Sequence, residues 1–495
     1  MSIRKHTLYN LIGALLPMAL SLVTIPLYIG LIGDARYGVL AVAWLLLDYF
    51  GLFDLGLGRA TAQRIAALAD AGPEQRATSF WTALTINVGV GVIGGLVIWP
   101  VAVYFFGHSL HVEDALRVEL GKAIPWLVLA VPLATFSGVL SGTLQGRAQF
   151  LELNTISVAG SVLIQLVPLS VAWLHGPDLA WLLPAVILSR VVTLSALFWR
   201  CREHVFKGQP RIISRIHAKG LLQFGGWVTI TALVSPMMVM LDRFVIGAAL
   251  GAKAVTYYTV PFQLAQRSAI IPGALSSALF PRLAAADVSE RQLLGSSAIH
   301  TLAVVITPVM LLGIFLIEPF LSWWLSPEFA SQSALIGQIL LLGFWINAFA
   351  VIPYAQLQAA GRPDVVAKCH LAEVLPYLLF LYAGLHFFGL KGAAIVFGLR
   401  TFIDCLLLMF FARNLREGFA LLYIPTLILL AGLMVTIFFG IGSLTWWATA
   451  CSLFLLSLLW AWKYAPKILR AAIIRNTEKL FHFKRRRPVA FFQKK

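Results

Sequence analysis

Residues 8–32 read Leu8-Tyr-Asn10-Leu-Ile-Gly-Ala-Leu-Leu-Pro17-Met-Ala-Leu-Ser-Leu-Val-Thr-Ile-Pro26-Leu-Tyr-Ile-Gly-Leu-Ile32, with no charged side chain. A bilayer core is crossed by about 20 apolar residues in helical form, and this run is long enough. Arg4 and Lys5 precede it. It exceeds the apolar core of a signal peptide, and no small-x-small site closes it, so an uncleaved first span is expected.

The pattern recurs along the chain. Of the 495 residues 60% are hydrophobic and 12% charged, and the mean hydropathy is +0.86. Soluble domains carry roughly 25% charged residues, so lipid must be the solvent for most of this sequence. The 39 glycines and 23 prolines are compatible with spanning helices wherever neighbours satisfy the freed backbone. Fourteen spans are expected, at 8–30, 38–58, 80–106, 121–144, 154–174, 179–199, 221–247, 254–281, 296–322, 332–356, 366–388, 392–412, 420–440 and 444–463. The fold class is therefore all-α integral membrane.

Positive charge orients it, because short cytoplasmic loops retain Lys and Arg. Counted with the span-end residues Lys122, Lys368 and Lys463, the two termini and the even-numbered connections hold 29 Lys and Arg, against 5 in the odd-numbered connections. Both termini are expected on the cytoplasmic side. The net charge of +17 is spread along one membrane face, which argues against nucleic acid. Residues 464–495 combine helical apolar spacing with Lys484-Arg485-Arg486-Arg487, a pattern suited to an interfacial helix on anionic lipid. The plainer reading of that tail is a topology anchor.

A weak repeat runs through the chain. Pro17-Met18 returns as Pro236-Met237, Gly33 with Tyr37 as Gly251 with Tyr257, Arg64 in its Ala-rich run as Arg282, and Leu144-Gln145 with Arg147 as Leu357-Gln358 with Arg362. These markers keep their order at a nearly constant offset. Two related six-helix bundles, 1–200 and 221–416, joined by the basic linker 201–220, are expected. Residues 417–463 add two spans and 464–495 form the tail. Six is even, so the repeats are parallel, an arrangement in which transporters place the pathway between the halves.

Asn10 through Pro17, Pro26, Tyr37-Gly38 and Asp54-Leu-Gly-Leu-Gly-Arg59 resemble the start of bacterial polysaccharide flippases. Leu241-Asp242-Arg243, Tyr257-Tyr258-Thr-Val-Pro-Phe-Gln and Pro272-Gly…Phe280-Pro281-Arg282 resemble them too, and the likeness covers about 5–415. These O-antigen-type flippases belong to the exporter superfamily that also holds multidrug extruders and lipid II flippases. The resemblance implies a V-shaped pair of bundles, a bacterial inner-membrane location and no enzymatic activity. It implies a cargo of oligosaccharide on undecaprenyl pyrophosphate, for O-antigen, lipopolysaccharide, capsule or exopolysaccharide, and partners among polysaccharide polymerases and chain-length proteins.

Charge within a span is costly and usually faces a bundle interior or water. Arg267 lies near the middle of span 8 with no acid at i±3 or i±4, and a guanidinium fork suits a phosphate. The alternative is a hydrogen bond to carbonyls or a distant carboxylate. Lipid II flippases place a cavity-facing arginine in their eighth helix, and the resemblance implies the same for Arg267. Arg59, Arg190 and Arg243 are further substrate-binding candidates. Snorkelling is the ordinary explanation of Arg59, and Asp242-Arg243 reads equally as gate or anchor. Asp48, Asp54, Asp242 and Glu373 are candidates for a coupling ion or gate. Arg400 and Asp404, at i, i+4, are expected to neutralise each other as a structural pair.

Gly89-Val-Gly91-Val-Ile-Gly94 imitates a dinucleotide fingerprint but lies inside an apolar span with no preceding strand; close helix packing explains it better. Neither a phosphate-binding loop nor paired cysteines occur, and no cofactor or metal is expected. Two other functions stay open: a cation-coupled exporter of drugs or small metabolites, which wants carboxylates converging in one lobe, and a membrane polysaccharide polymerase or ligase, which wants a large periplasmic loop.

Overall fold

A computed structural model describes residues 3–50, 57–68, 71–105, 107, 113–218, 241–466 and 470. These residues are mainly helical and contain no strand. The helices are α1 Ile3–Phe50, α2 Leu57–Ala67, α3 Pro73–Tyr104, α4 Asp114–Gly146, α5 Phe150–His175, α6 Leu179–Cys201, α7 Ala252–Gln266, α8 Ile270–Ala285, α9 Val288–Trp324, α10 Pro327–Ala359, α11 Pro363–Phe411, α12 Leu415–Phe438 and α13 Leu444–Tyr464. Residues 241–250 are also helical. Ten helices among the described residues are long and apolar enough to cross a membrane.

Two of the long helices fold back on themselves. Along a straight helix Glu373 and Arg400 would stand roughly 40 Å apart, at 1.5 Å per residue. Their side chains meet at 3.3 Å, so α11 reverses between them. The reversal is at Gly389 (φ 58°, ψ −143°), in backbone territory that side chains with a Cβ rarely enter. In α1 the same job falls to Gly33 (φ 77°, ψ 164°), and the rings of Tyr28 and Trp44 then meet edge-on at 5.3 Å.

Contacts divide the chain into two compact units, residues 1–260 with 374–393 and residues 261–373 with 394–495. In the first, α2, α3, α4 and α6 enclose a core of Leu57, Phe80, Leu140, Leu144, Leu197 and Phe206. Glycines set the spacing. A Cβ on Gly142 would lie 2.0 Å from the carbonyl oxygen of Gly58, and one on Gly146 would lie 2.7 Å from that of Ala62. Small residues four apart on α2 thus face small residues four apart on α4, the close approach that replaces hydrophobic drive in lipid. Gly91, in the run that imitates a nucleotide motif, packs onto Pro132 and Thr135 of α4 in the same way. In the second unit α12 and α13 lie against α9, and the Phe262 ring meets those of Phe344 and Phe397 edge-on.

Candidate functional site

In the first unit, the residues of the recurrent motifs form one joint. Asp242 is fully buried. It accepts from Arg243 Nη1 at 2.7 Å and from the Tyr258 hydroxyl at 3.1 Å, and the Arg243 guanidinium stacks over the Tyr258 ring at 5.7 Å. One turn away, Thr256 Oγ1 donates to the Asp34 carbonyl at 2.6 Å and the Tyr257 hydroxyl to the Asp34 carboxylate at 3.2 Å. Gly38 lets α1 touch α7, because a Cβ there would stand 2.1 Å from the Ala252 carbonyl oxygen. The fold-back of α1 is thereby latched to the start of α7. Asp242 and Arg243 thus answer each other's charge inside the unit.

The second unit holds a buried tetrad. Arg400 Nε donates to Glu373 Oε2 at 3.3 Å, and His370 Nε2 stands 3.3 Å from Asp404 Oδ1. All four side chains are about nine-tenths buried. This corrects the pairing expected along one helix face: Arg400 is partnered by Glu373 and Asp404 by His370. The i, i+4 neighbours lose because the reversal at Gly389 brings the other half of α11 alongside. Charging both carboxylates and Arg400 leaves one negative charge over, which a proton on His370 or on a carboxylate would cancel. Oε1 of Glu373 has no hydrogen-bond partner. The tyrosine ring of Tyr354, from α10, stacks on His370 at 6.4 Å. His370 was missed in the sequence, although its i, i+3 spacing from Glu373 was a signal. Among the described residues no three His, Cys, Asp or Glu side chains are grouped to hold a metal ion.

Arg267 sits at a break in a helix. Residues Arg267–Ala269 form a 3₁₀ turn between α7 and α8. Pro272 is the cause: it has no N–H for the Ser268 carbonyl and its ring crowds that oxygen. A 3₁₀ turn inside a longer helix often marks a hinge or functional position. Arg267 is half-buried and takes part in no ion pair among the described residues. The turn packs against α8 and α10.

Arg190 is half-buried in α6. Arg59 and Asp48 lie on the helices α2 and α1, but their side chains fall outside the described residues, as do the whole of Asp54 and nearly all of the basic tail. The structure therefore brings together Asp242 with Arg243 and Glu373 with Arg400, while Arg267 enters no ion pair among the described residues.

Comparison with known proteins agrees with this architecture. The family described as polysaccharide biosynthesis protein matches residues 3–286, more than half of the chain. A Shigella flexneri protein named for O-antigen transport is 28% identical over 416 residues, 82% of this chain and 97% of that protein. The lipid II flippase MurJ in an inward closed conformation superposes with a TM-score of 0.68 at 14% identity, covering 94% of this chain and all of that one. An inward-facing multidrug resistance MATE family transporter of the MOP superfamily gives a TM-score of 0.67 at 16% identity, over 83% and 98%. At these identities the two structures establish the fold: that of the MOP transporters.

Proposed function

Because the chain belongs to the polysaccharide biosynthesis protein family, we propose that it flips an undecaprenyl-pyrophosphate-linked oligosaccharide from the cytoplasmic to the periplasmic leaflet by alternating access. The chain is a multi-pass membrane protein, and the proposal places it in the inner membrane with both termini cytoplasmic and fourteen spans. The reversals at Gly33 and Gly389, and the broken helix from α7 to α8, support that count. The proposal includes two related bundles over 1–200 and 221–416, a non-enzymatic role, and delivery to a polymerase with its chain-length partners.

Arg267 is the observation that carries the reading. A cation at a proline-made break, outside every ion pair among the described residues, fits an anionic cargo better than a cationic drug. Its fork can take two oxygens of a phosphate, which a lysine cannot. Hydrogen bonds to charged groups are worth about 1.5–3 kcal/mol, so Arg267→Ala should slow flipping roughly tenfold to a hundredfold. Arg267→Lys should retain part of the activity and Arg267→Glu none. The assay is the amount of undecaprenyl-linked saccharide trapped in the inner leaflet of cells lacking the wild-type gene, read beside protein abundance. Normal transport by Arg267→Ala at normal abundance would sink the assignment.

One observation favours a second reading. Glu373 and Asp404 are two buried carboxylates in one unit, as a cation-coupled small-molecule exporter would need. Arg400 already occupies one of them. If drugs leave the cell through this protein while lipid-linked saccharides do not accumulate in its absence, the exporter reading replaces the first.

A further inference from the structure

Beyond the transport reading, and depending only on membrane placement, the cleft beside α6 carries a second assignment. At the end of α6 the chain makes a π-helical turn, Arg202–Phe206, and runs on past Arg211. Between this segment, α4 and α6 lies a cavity of about 690 Å³. Its walls are apolar: Phe136 and Phe198 stack at 6.3 Å, with Val191 beside them. Its mouth is cationic. The Arg202 guanidinium sits over the Trp199 ring at 5.6 Å and that of Arg211 over the Trp81 ring at 4.8 Å.

The neighbouring acids are engaged elsewhere. Glu152 is held by Arg200 and His204, and Glu203 by Lys207 at 2.8 Å. Arg202 and Arg211 enter no ion pair among the described residues. Two further features fix the level of the mouth. Trp181, Leu188, Val192 and Trp199 are exposed along one face of α6, an apolar track that leads to the cavity. Beyond Arg211, Ile213 and Ile216 are exposed, the latter by 83%, among arginines 211 and 215. Exposed isoleucines interleaved with arginines belong in a headgroup layer, where tryptophan also collects.

We propose that this cleft binds one anionic phospholipid of the surrounding leaflet, its phosphate between Arg202 and Arg211 and an acyl chain along the Val191–Trp199 face of α6. The ligand chemistry follows from the two ends of the site: an apolar trough that takes a chain, and two guanidinium forks that take phosphate oxygens.

Native mass spectrometry of the detergent-purified full chain tests it with three probes: dioleoylphosphatidylglycerol, dioleoylphosphatidylcholine with the same chains, and undecaprenyl phosphate. Phosphatidylglycerol should remain bound at least about tenfold more than phosphatidylcholine, because choline cancels the charge of the shared phosphate and is repelled by the two guanidiniums. Arg202→Gln with Arg211→Gln should lose that excess. Ser195→Trp, which fills the trough, should lose it with both arginines in place, and Arg282→Gln with Arg362→Gln should keep it. Equal binding of the two phospholipids overturns the proposal, as does undiminished binding by the Arg202/Arg211 variant. Preferential capture of undecaprenyl phosphate also overturns it and makes the cleft a cargo site. The lipid comparison uses wild-type protein, so it decides even where a variant fails to fold.

Discussion

Glu373 and Arg400 are two buried charges that depend on each other. Both are about nine-tenths buried and meet at 3.3 Å. Removing one member of a buried pair strands the other charge, at about 3–5 kcal/mol, whereas replacing both with apolar groups is often neutral. Glu373→Leu and Arg400→Leu should therefore each lower the thermal unfolding midpoint in detergent, and the double variant should recover most of the loss. Recovery of nothing would mean that the two residues act separately. The sequence disclosed these residues as intramembrane charges but not their partners. Spacing along one helix pointed Arg400 to Asp404, and only the turn at Gly389 redirects it across 27 residues to Glu373. The same limit hid the Trp81–Arg211 contact, because cation–aromatic pairs between distant segments leave no local spacing. Arg267 is legible in the sequence as a charge without a local partner, whereas the 3₁₀ break beside it depends on how the helix accommodates Pro272.

Apolar runs measured against bilayer thickness locate the helices well, because in lipid a helix must satisfy its own backbone over its whole length. The breaks expected at 31–37 and 389–391 contain the left-handed Gly33 and Gly389. Segments outside the apolar runs are less legible, since side-chain contacts fix them. The stretch after Arg211 is one: Ser214 N donates to Thr82 Oγ1 at 3.0 Å and His217 Nδ1 stands 3.1 Å from Ser79 Oγ, pinning it to α3. Burial, and next the charge of Arg64, hold the His217 imidazole below its usual range. A depressed histidine stabilises the folded form while neutral, so its contribution is complete above the unfolded value of about 6.5. It is lost as pH falls through the lower folded value. Deuterium uptake over 211–218, corrected for the intrinsic exchange rate at each pH, should accordingly rise on acidification below the unfolded value of about 6.5, and His217→Gln should flatten that dependence. Corrected uptake that is independent of pH in the wild type would remove histidine from the account.

For the whole molecule, orientation is the property that charge dictates and that helix packing leaves undetermined. A fold of stacked apolar helices is equally stable either way up, but Lys and Arg in short loops resist translocation. With 29 such residues in the termini and even connections against 5 in the odd ones, the bias runs in one direction along the entire chain. The segment 200–220 carries six of the 29, and its later part is pinned to α3 by Thr82 and Ser79, so moving it across would cost both the charges and the packing. The short turn between α5 and α6, at Gly176 and Pro177, has no Lys or Arg and belongs to the opposite face. Of the four cysteines Cys201, Cys369 and Cys405 are buried and Cys451 is exposed, which makes a Cys451→Ser background suitable for labelling. On it, Pro177→Cys should react with a membrane-impermeant maleimide added to intact cells. Pro210→Cys should react only after the membrane is opened. Labelling of Pro210→Cys in intact cells would invert the map, and with it the direction in which Arg267 would meet a headgroup entering from the cytoplasm.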